Sequence, residues 1–164
     1  MRPMSVKARR EWHPFWDLSA LELGAQGLSS TDRTGNADSS RFPLRTLRYW
    51  FVYQLILRES EARQRPLDVF EVGVGTGEML AFLKAAETGR RGLSQDAIVG
   101  RCDGLGLGID PARMAARDYS RCCEQNLEGP AFALPQSYDV IIFLHVLEHL
   151  RNPEQGLVCV LRWA

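Results

Sequence analysis

The chain has 164 residues, 45% of them hydrophobic and 24% charged, which is enough for one domain with a buried core. Twenty basic and twenty acidic residues cancel to a net charge of zero, so no global field draws it to nucleic acid or to an anionic membrane. No apolar run reaches the roughly 20 residues of a membrane span, and the four cysteines have neither Cys-x-x-Cys spacing nor the pattern of a secreted disulfide framework, so a reduced, cytoplasmic protein is expected.

The N-terminus carries Arg2, Lys7, Arg9 and Arg10 without the apolar core of a signal peptide. Residues 11–28 hold Trp12, Phe15, Trp16, Leu18, Leu21 and Leu23 in an irregular setting broken by Pro14. They read as a helical arm packed on the domain, or as a lid over its site. Residues 29–40 are polar and turn-rich and read as a loop. The expected division is therefore an N-terminal arm and flexible loop over 1–43 and a domain over 44–164.

Residues 44–64 predict a helix with a broad apolar face, from Leu44 and Leu47 through Trp50, Tyr53 and Leu57, closed by charge at Arg58, Glu59, Glu61 and Arg63. Pro66 stops it. An apolar run, Val69, Phe70 and Val72, then predicts a buried strand. Three glycines at alternate positions follow, Gly73, Gly75 and Gly77, and then a helical pattern from Met79 to about Ala86, ended at Thr88-Gly89. Strand, glycine loop and helix make a nucleotide-type cofactor site, because glycine leaves no Cβ in the way and a helix start favours polar or anionic groups. The spacing disfavours two relatives of this loop. A dinucleotide-binding loop, as in a dehydrogenase, needs glycine where Glu78 stands, and a P-loop needs a Gly-Lys-Ser/Thr run.

Residues 87–104 read as a long polar connection in which Ile98-Val99 is a short strand or a packed turn. Leu105, Leu107 and Ile109 predict the second strand, Asp110 its tip, and Pro111 the first turn of a helix carrying Met114, Ala115, Tyr119 and Cys122. Asp110 reads either as an acceptor for a ribose diol or as a helix N-cap. Ala131–Leu134 is a stunted third strand. Residues 138–144 form a near-continuous apolar run, the signature of a strand buried on both faces of a parallel sheet. His145-Val146-Leu147-Glu148-His149-Leu150 follows, and Pro153–Ala164 reads as a helix.

The run Glu71-Val72-Gly73-x-Gly75-x-Gly77 resembles motif I of the class I S-adenosylmethionine-dependent methyltransferases. Gly108-Ile109-Asp110-Pro111 resembles motif II, and the phrase from Tyr138 through His145-Val-Leu-Glu-His-Leu to Asn152-Pro153 resembles motif IV of the small-molecule members. The resemblance spans about residues 66–160 with the motifs in family order. It implies an α/β, Rossmann-like, mostly parallel sheet of strand order 3-2-1-4, helices on both faces and an N-terminal helical arm. It implies S-adenosylmethionine as cofactor and methyl transfer to a small-molecule acceptor. Glu71, Gly73, Gly75, Thr76, Gly77, Asp110, Pro111 and Leu144 would bind the cofactor, Glu71 and the glycines its amino-acid part and Asp110 its ribose. His145 is the candidate catalytic residue. The family's Gly-Asp pair before the fourth strand has no counterpart, which leaves the adenine contact unassigned. The family's fifth strand and antiparallel pair are also missing, so the fourth strand becomes an open apolar edge. A second chain completing the sheet, or a truncated, non-catalytic cofactor-binding or partner domain, is the alternative expectation. His145-x-x-Glu148-His149 also fits an inverted zinc-peptidase pattern. That reading leaves the glycine loop unexplained and offers no distant third ligand beyond Glu154, so no metal is expected.

Overall fold

The computed structural model describes residues 44–91, 98–129 and 136–161. The N-terminal arm and loop, and the strand expected at Ala131–Leu134, lie outside these residues. Helix α1 covers Leu44–Arg63, strand β1 Leu67–Val72, helix α2 Glu78–Arg91, strand β2 Val99–Gly106 and helix α3 Pro111–Ala116. Strand β3 covers Arg121–Glu124, strand β4 Val140–Phe143, a 3-10 turn Leu147–His149 and helix α4 Pro153–Leu161.

The four strands form one parallel sheet of order β3-β2-β1-β4. This is the expected 3-2-1-4 order, and the fold is α/β and Rossmann-like. Strand β1 is central: Val69 faces Cys102 of β2 and Val140 of β4, and Val72 faces Leu105 and Phe143. Its side chains are buried on both faces, with Leu67, Val69 and Val72 at 0% exposure. Period-2 alternation sends Leu67 and Val69 into a core shared with α1, α2, Met114 and Tyr119. Phe70 and Val72 point the other way, into a smaller core with Leu105, Leu127, Tyr138 and Val160 of α4.

Helix α1 packs its Trp50, Tyr53, Ile56 and Leu57 face inward and stacks Tyr49 at 6.0 Å from the Phe82 ring of α2. Its C-terminal end is tied to the start of β4. Asp139 accepts hydrogen bonds from Arg63 at 2.8 Å, from Arg65 at 2.6 Å and from the Asp68 amide at 2.9 Å. The Arg65 hydrogen bond, opposed in part by burial, holds the Asp139 carboxyl down at about 2.

Four boundaries differ from the sequence reading. Helix α2 runs to Arg91, past Thr88-Gly89, because one glycine is tolerated in a helix at a cost of about 1 kcal/mol. Strand β2 begins at Val99 and ends at Gly106, so Leu107 and Ile109 lie beyond it. The end of the expected polar connection, residues 99–104, is strand, disguised by Gly100 and Gly104, which carry no apolar signal. The helix after Pro111 stops at Ala116, and Cys122 belongs to β3. Asp118 takes a positive φ of 64° there, the Tyr119 amide donates to the Met114 carbonyl and the Asp118 amide to the Ala115 carbonyl. This is a Schellman ending with aspartate in glycine's usual place. The third strand is therefore Arg121–Glu124, ahead of the segment expected to form it.

Candidate active site

Strand order creates the site. After β1 the chain crosses to β2 and β3 on one side and to β4 on the other, so the loops leaving β1 and β4 part at their C-terminal ends and open a crevice. The glycine loop fills the floor of that crevice. Gly73, Gly75 and Gly77 have φ of 83°, 51° and 76°, values that side chains rarely adopt. Packing requires two of them. A Cβ on Gly73 would stand 2.3 Å from Val146, and one on Gly77 3.2 Å from Arg117 and Tyr119, whereas one on Gly75 would meet only the Gly73 carbonyl, at 3.9 Å. The Gly73 and Val74 amides both donate to the Leu105 carbonyl, at 2.7 and 3.0 Å, and the Gly77 amide donates to Val74 at 2.8 Å. The loop is thus rigidly laced to β2 before any ligand arrives.

Two clefts flank the loop. The first, about 330 Å³, is lined by Glu71, Gly73, Gly75, Thr76, Leu144 and His145, six of the residues singled out from sequence. Arg48 and Tyr49 of α1, Val74 and Glu78 complete it. The second, about 290 Å³, lies toward β2 and β3 and is lined by Gly106, Leu107 and the Gln125–Glu128 segment, with His149 and Leu150 opposite. Gly73 and His145 line both. Gly77 lies under the loop against Tyr119, and Asp110 and Pro111 line neither cleft.

Asp110 acts as the N-cap of α3, one carboxylate oxygen accepting from the Ala112 and Arg113 amides at 3.0 and 3.2 Å. Glu71 is 3% exposed, and its carboxylate accepts the Tyr119 hydroxyl proton. Burial pushes the Glu71 carboxyl up to about 8, against the opposing pull of the Tyr119 hydrogen bond. Burial, with the nearby Glu71 charge, in turn raises the Tyr119 phenol well above its ordinary value. Glu78 opens α2, where the helix dipole favours an acid, and accepts from Tyr49 and Thr76, each at 2.9 Å. Arg48 lines the cleft with no hydrogen-bond or ion-pair partner among the described residues.

His145 sits directly beyond β4 with a φ of 54°. Its Nδ1 lies 2.5 Å from Glu148 Oε1, and the two side chains are 54% and 48% exposed. A left-handed conformation in a non-glycine residue costs roughly 1–2 kcal/mol. Among the described residues no three His, Cys, Asp or Glu side chains are grouped to hold a metal ion.

Sequence reasoning missed Arg48 and Tyr49 because they sit in the aromatic face of a helix that reads as core. It missed Gln125–Glu128 because β3 was sought further on. The charge of Arg48 amid Leu44, Leu47, Tyr49 and Trp50 was the available signal.

Residues 44–163 match the methyltransferase domain family. The chain belongs to that family. Among solved structures, that of the plantazolicin methyltransferase BpumL in complex with SAH is similar, at 12% identity and a TM-score of 0.42. The likeness covers 88% of this chain and 54% of that one, so this methyltransferase chain spans about half the length of the protein it matches. None of the curated proteins matches it.

Proposed function

We propose that this methyltransferase domain uses S-adenosylmethionine to methylate a small-molecule acceptor. The observation that carries the reading is the chemistry of the first cleft. A buried carboxyl group, Glu71, and the Arg48 guanidinium, which has no hydrogen-bond or ion-pair partner among the described residues, line one cavity over a glycine loop. An amino-acid zwitterion needs that pair: an acid for its ammonium and a cation for its carboxylate. The donor set therefore fits the amino-acid end of the cofactor. The backbone of Gly73, Gly75 and Thr76 forms the floor, Gly77 supports it from beneath against Tyr119, and Leu144 supplies an apolar wall. The second cleft, joined to the first at Gly73 and His145, offers Leu107, Asn126 and Leu127 to an adenosyl group. Asp110 and Pro111 line neither cleft and are assigned to the ribose side from their motif, Asp110 with the carboxylate oxygen its cap leaves over.

When bound, the cofactor supplies a methyl group already activated by its sulfonium. The protein's own task is to orient the acceptor and exclude water. His145 is the proposed catalytic residue. A cytoplasmic setting agrees with the free thiols of Cys102, Cys122 and Cys123, and no helix among the described residues is long and apolar enough to cross a membrane.

Calorimetric titration with S-adenosylhomocysteine tests the reading. Micromolar binding is expected. Arg48→Met should weaken it about tenfold or more while leaving adenosine affinity unchanged. Asp110→Ser keeps a capping oxygen but removes the carboxylate, so it should weaken both ligands. No binding by the folded chain would sink the proposal.

A second reading is a cofactor-binding domain completed by another chain. The outer edge of β4, which pairs only with β1 among the described residues, favours it. Binding of S-adenosylhomocysteine without turnover would select this reading over the first.

A further inference from the structure

His145 and Glu148 combine four observations. They adjoin the C-terminal end of β4, beside the glycine loop. His145 lines both clefts, so the residue stands where the amino-acid and adenosyl halves of the proposed ligand would meet. Its backbone is held in a left-handed conformation, with a φ of 54°. Its Nδ1 is 2.5 Å from the Glu148 carboxylate. A carboxylate accepts, so Nδ1 carries the hydrogen, and in the neutral ring Nε2 is left as a bare acceptor. Nδ1 and Nε2 lie on different edges of the imidazole, so Nε2 is free of this contact.

We propose that His145 is the general base of the transfer and Glu148 its positioning residue, so that the acceptor class is a hydroxyl or an N–H group, which must lose a proton. This rests on the cofactor reading of the same cleft. The acceptor's O–H or N–H proton passes to Nε2 as the new O–C or N–C bond forms. The electron pair of the breaking C–S bond goes to sulfur and cancels its positive charge. Glu148 steadies the imidazolium, which returns the proton to solvent through its exposed side. A thioether or tertiary amine acceptor would have no use for this pair.

The test uses the whole chain labelled with 15N-histidine, the His145 signals being assigned by their loss in His145→Asn. Asparagine tolerates the left-handed backbone, so this variant should fold. At a pH where the ring is neutral, the wild type should show the Nδ1–H tautomer. Glu148→Leu should shift it toward Nε2–H, and Glu148→Gln, which keeps an acceptor oxygen, should retain it. An Nε2–H tautomer in the wild type, or no change in Glu148→Leu, overturns the pair whatever the cofactor. Methyl transfer from labelled S-adenosylmethionine to phenol and to benzylamine reads the chemistry. At saturating S-adenosylmethionine, His145→Asn should transfer at least about 100-fold more slowly than the wild type. Equal transfer by His145→Asn overturns the base. Transfer to neither probe by a wild type that binds S-adenosylhomocysteine overturns the acceptor class. A wild type that does not bind S-adenosylhomocysteine fails the cofactor reading instead, and the tautomer still decides the pair.

Discussion

A carboxyl group at the base of the first cleft keeps its proton well above the ordinary carboxylate range. Glu71 is pushed from 4.5 to about 8 by burial. Because the folded value lies above the unfolded one, folding favours the protonated form. That contribution is complete below 4.5 and is lost as pH rises through about 8. Stability should therefore fall with rising pH across this window, by at most about 1.4 kcal/mol per pH unit for one proton. Denaturant midpoints measured from mildly acidic to mildly alkaline pH should decline, and Glu71→Gln should flatten the decline. The same group makes ligand binding proton-linked. An ammonium beside Glu71 favours the ionised carboxylate, so S-adenosylhomocysteine should release a proton on binding near neutral pH. Calorimetry in buffers of different ionisation enthalpy reads that proton directly, and Glu71→Gln should release none. Absence of release from the wild type would remove the ammonium from Glu71. The acid was visible in the sequence, immediately ahead of the glycine run. Its partner Tyr119 was not, because helical spacing from Met114 and Ala115 disguised a residue that follows the helix.

At the scale of elements, the strand–loop–helix unit and strand β4 were legible because they are written in apolar runs, while the sheet order came from the family resemblance. Strand β2 was not. Its interior alternates Gly100, Arg101, Asp103, Gly104 and Gly106, and long-range contacts decide its structure. The buried Asp103 is accepted there because Tyr138 donates to it at 2.8 Å. Gly104 is there because Val74 of the glycine loop occupies the space a side chain would need, 2.1 Å from the Cβ position. Gly104→Ala should therefore overpack the core and cost about 1–3 kcal/mol, seen as a lower thermal midpoint. Val74→Ala vacates the same space. The double variant should be less destabilised than the two single losses combined, a coupling that a double-mutant cycle measures. Simple additivity would show that loop and strand do not share this contact. Strand β3 escaped notice for a related reason. Nothing in the order Asp118-Tyr119 announces that an aspartate will take a positive φ and end the helix.

At the scale of the molecule, the same topology that opens the ligand crevice leaves one flank uncovered by the described residues. Strand β4 pairs with β1 alone among the described residues, and its free edge adjoins helix α1. Between them runs an apolar groove of about 360 Å³, lined by Phe51, Val52, Leu55 and Ile56 from the helix and by Val140–Leu144 from the strand. Phe51 and Leu55 are 40% and 47% exposed, large for aromatic and aliphatic side chains side by side. An unpaired edge beside exposed apolar groups combines open backbone hydrogen bonding with surface that gains free energy on burial, about 25 cal/mol for each Å² covered. The expected behaviour of this chain in isolation is self-association through that flank, growing with concentration and visible by light scattering coupled to size exclusion. The double variant Phe51→Lys, Leu55→Lys should restore a monomer, since a pair of ammonium groups opposes docking there. Neither residue lines the two ligand clefts, so affinity for S-adenosylhomocysteine should survive the change. A wild-type chain that stays monomeric at high concentration would mean that the flank is protected by something other than the described residues.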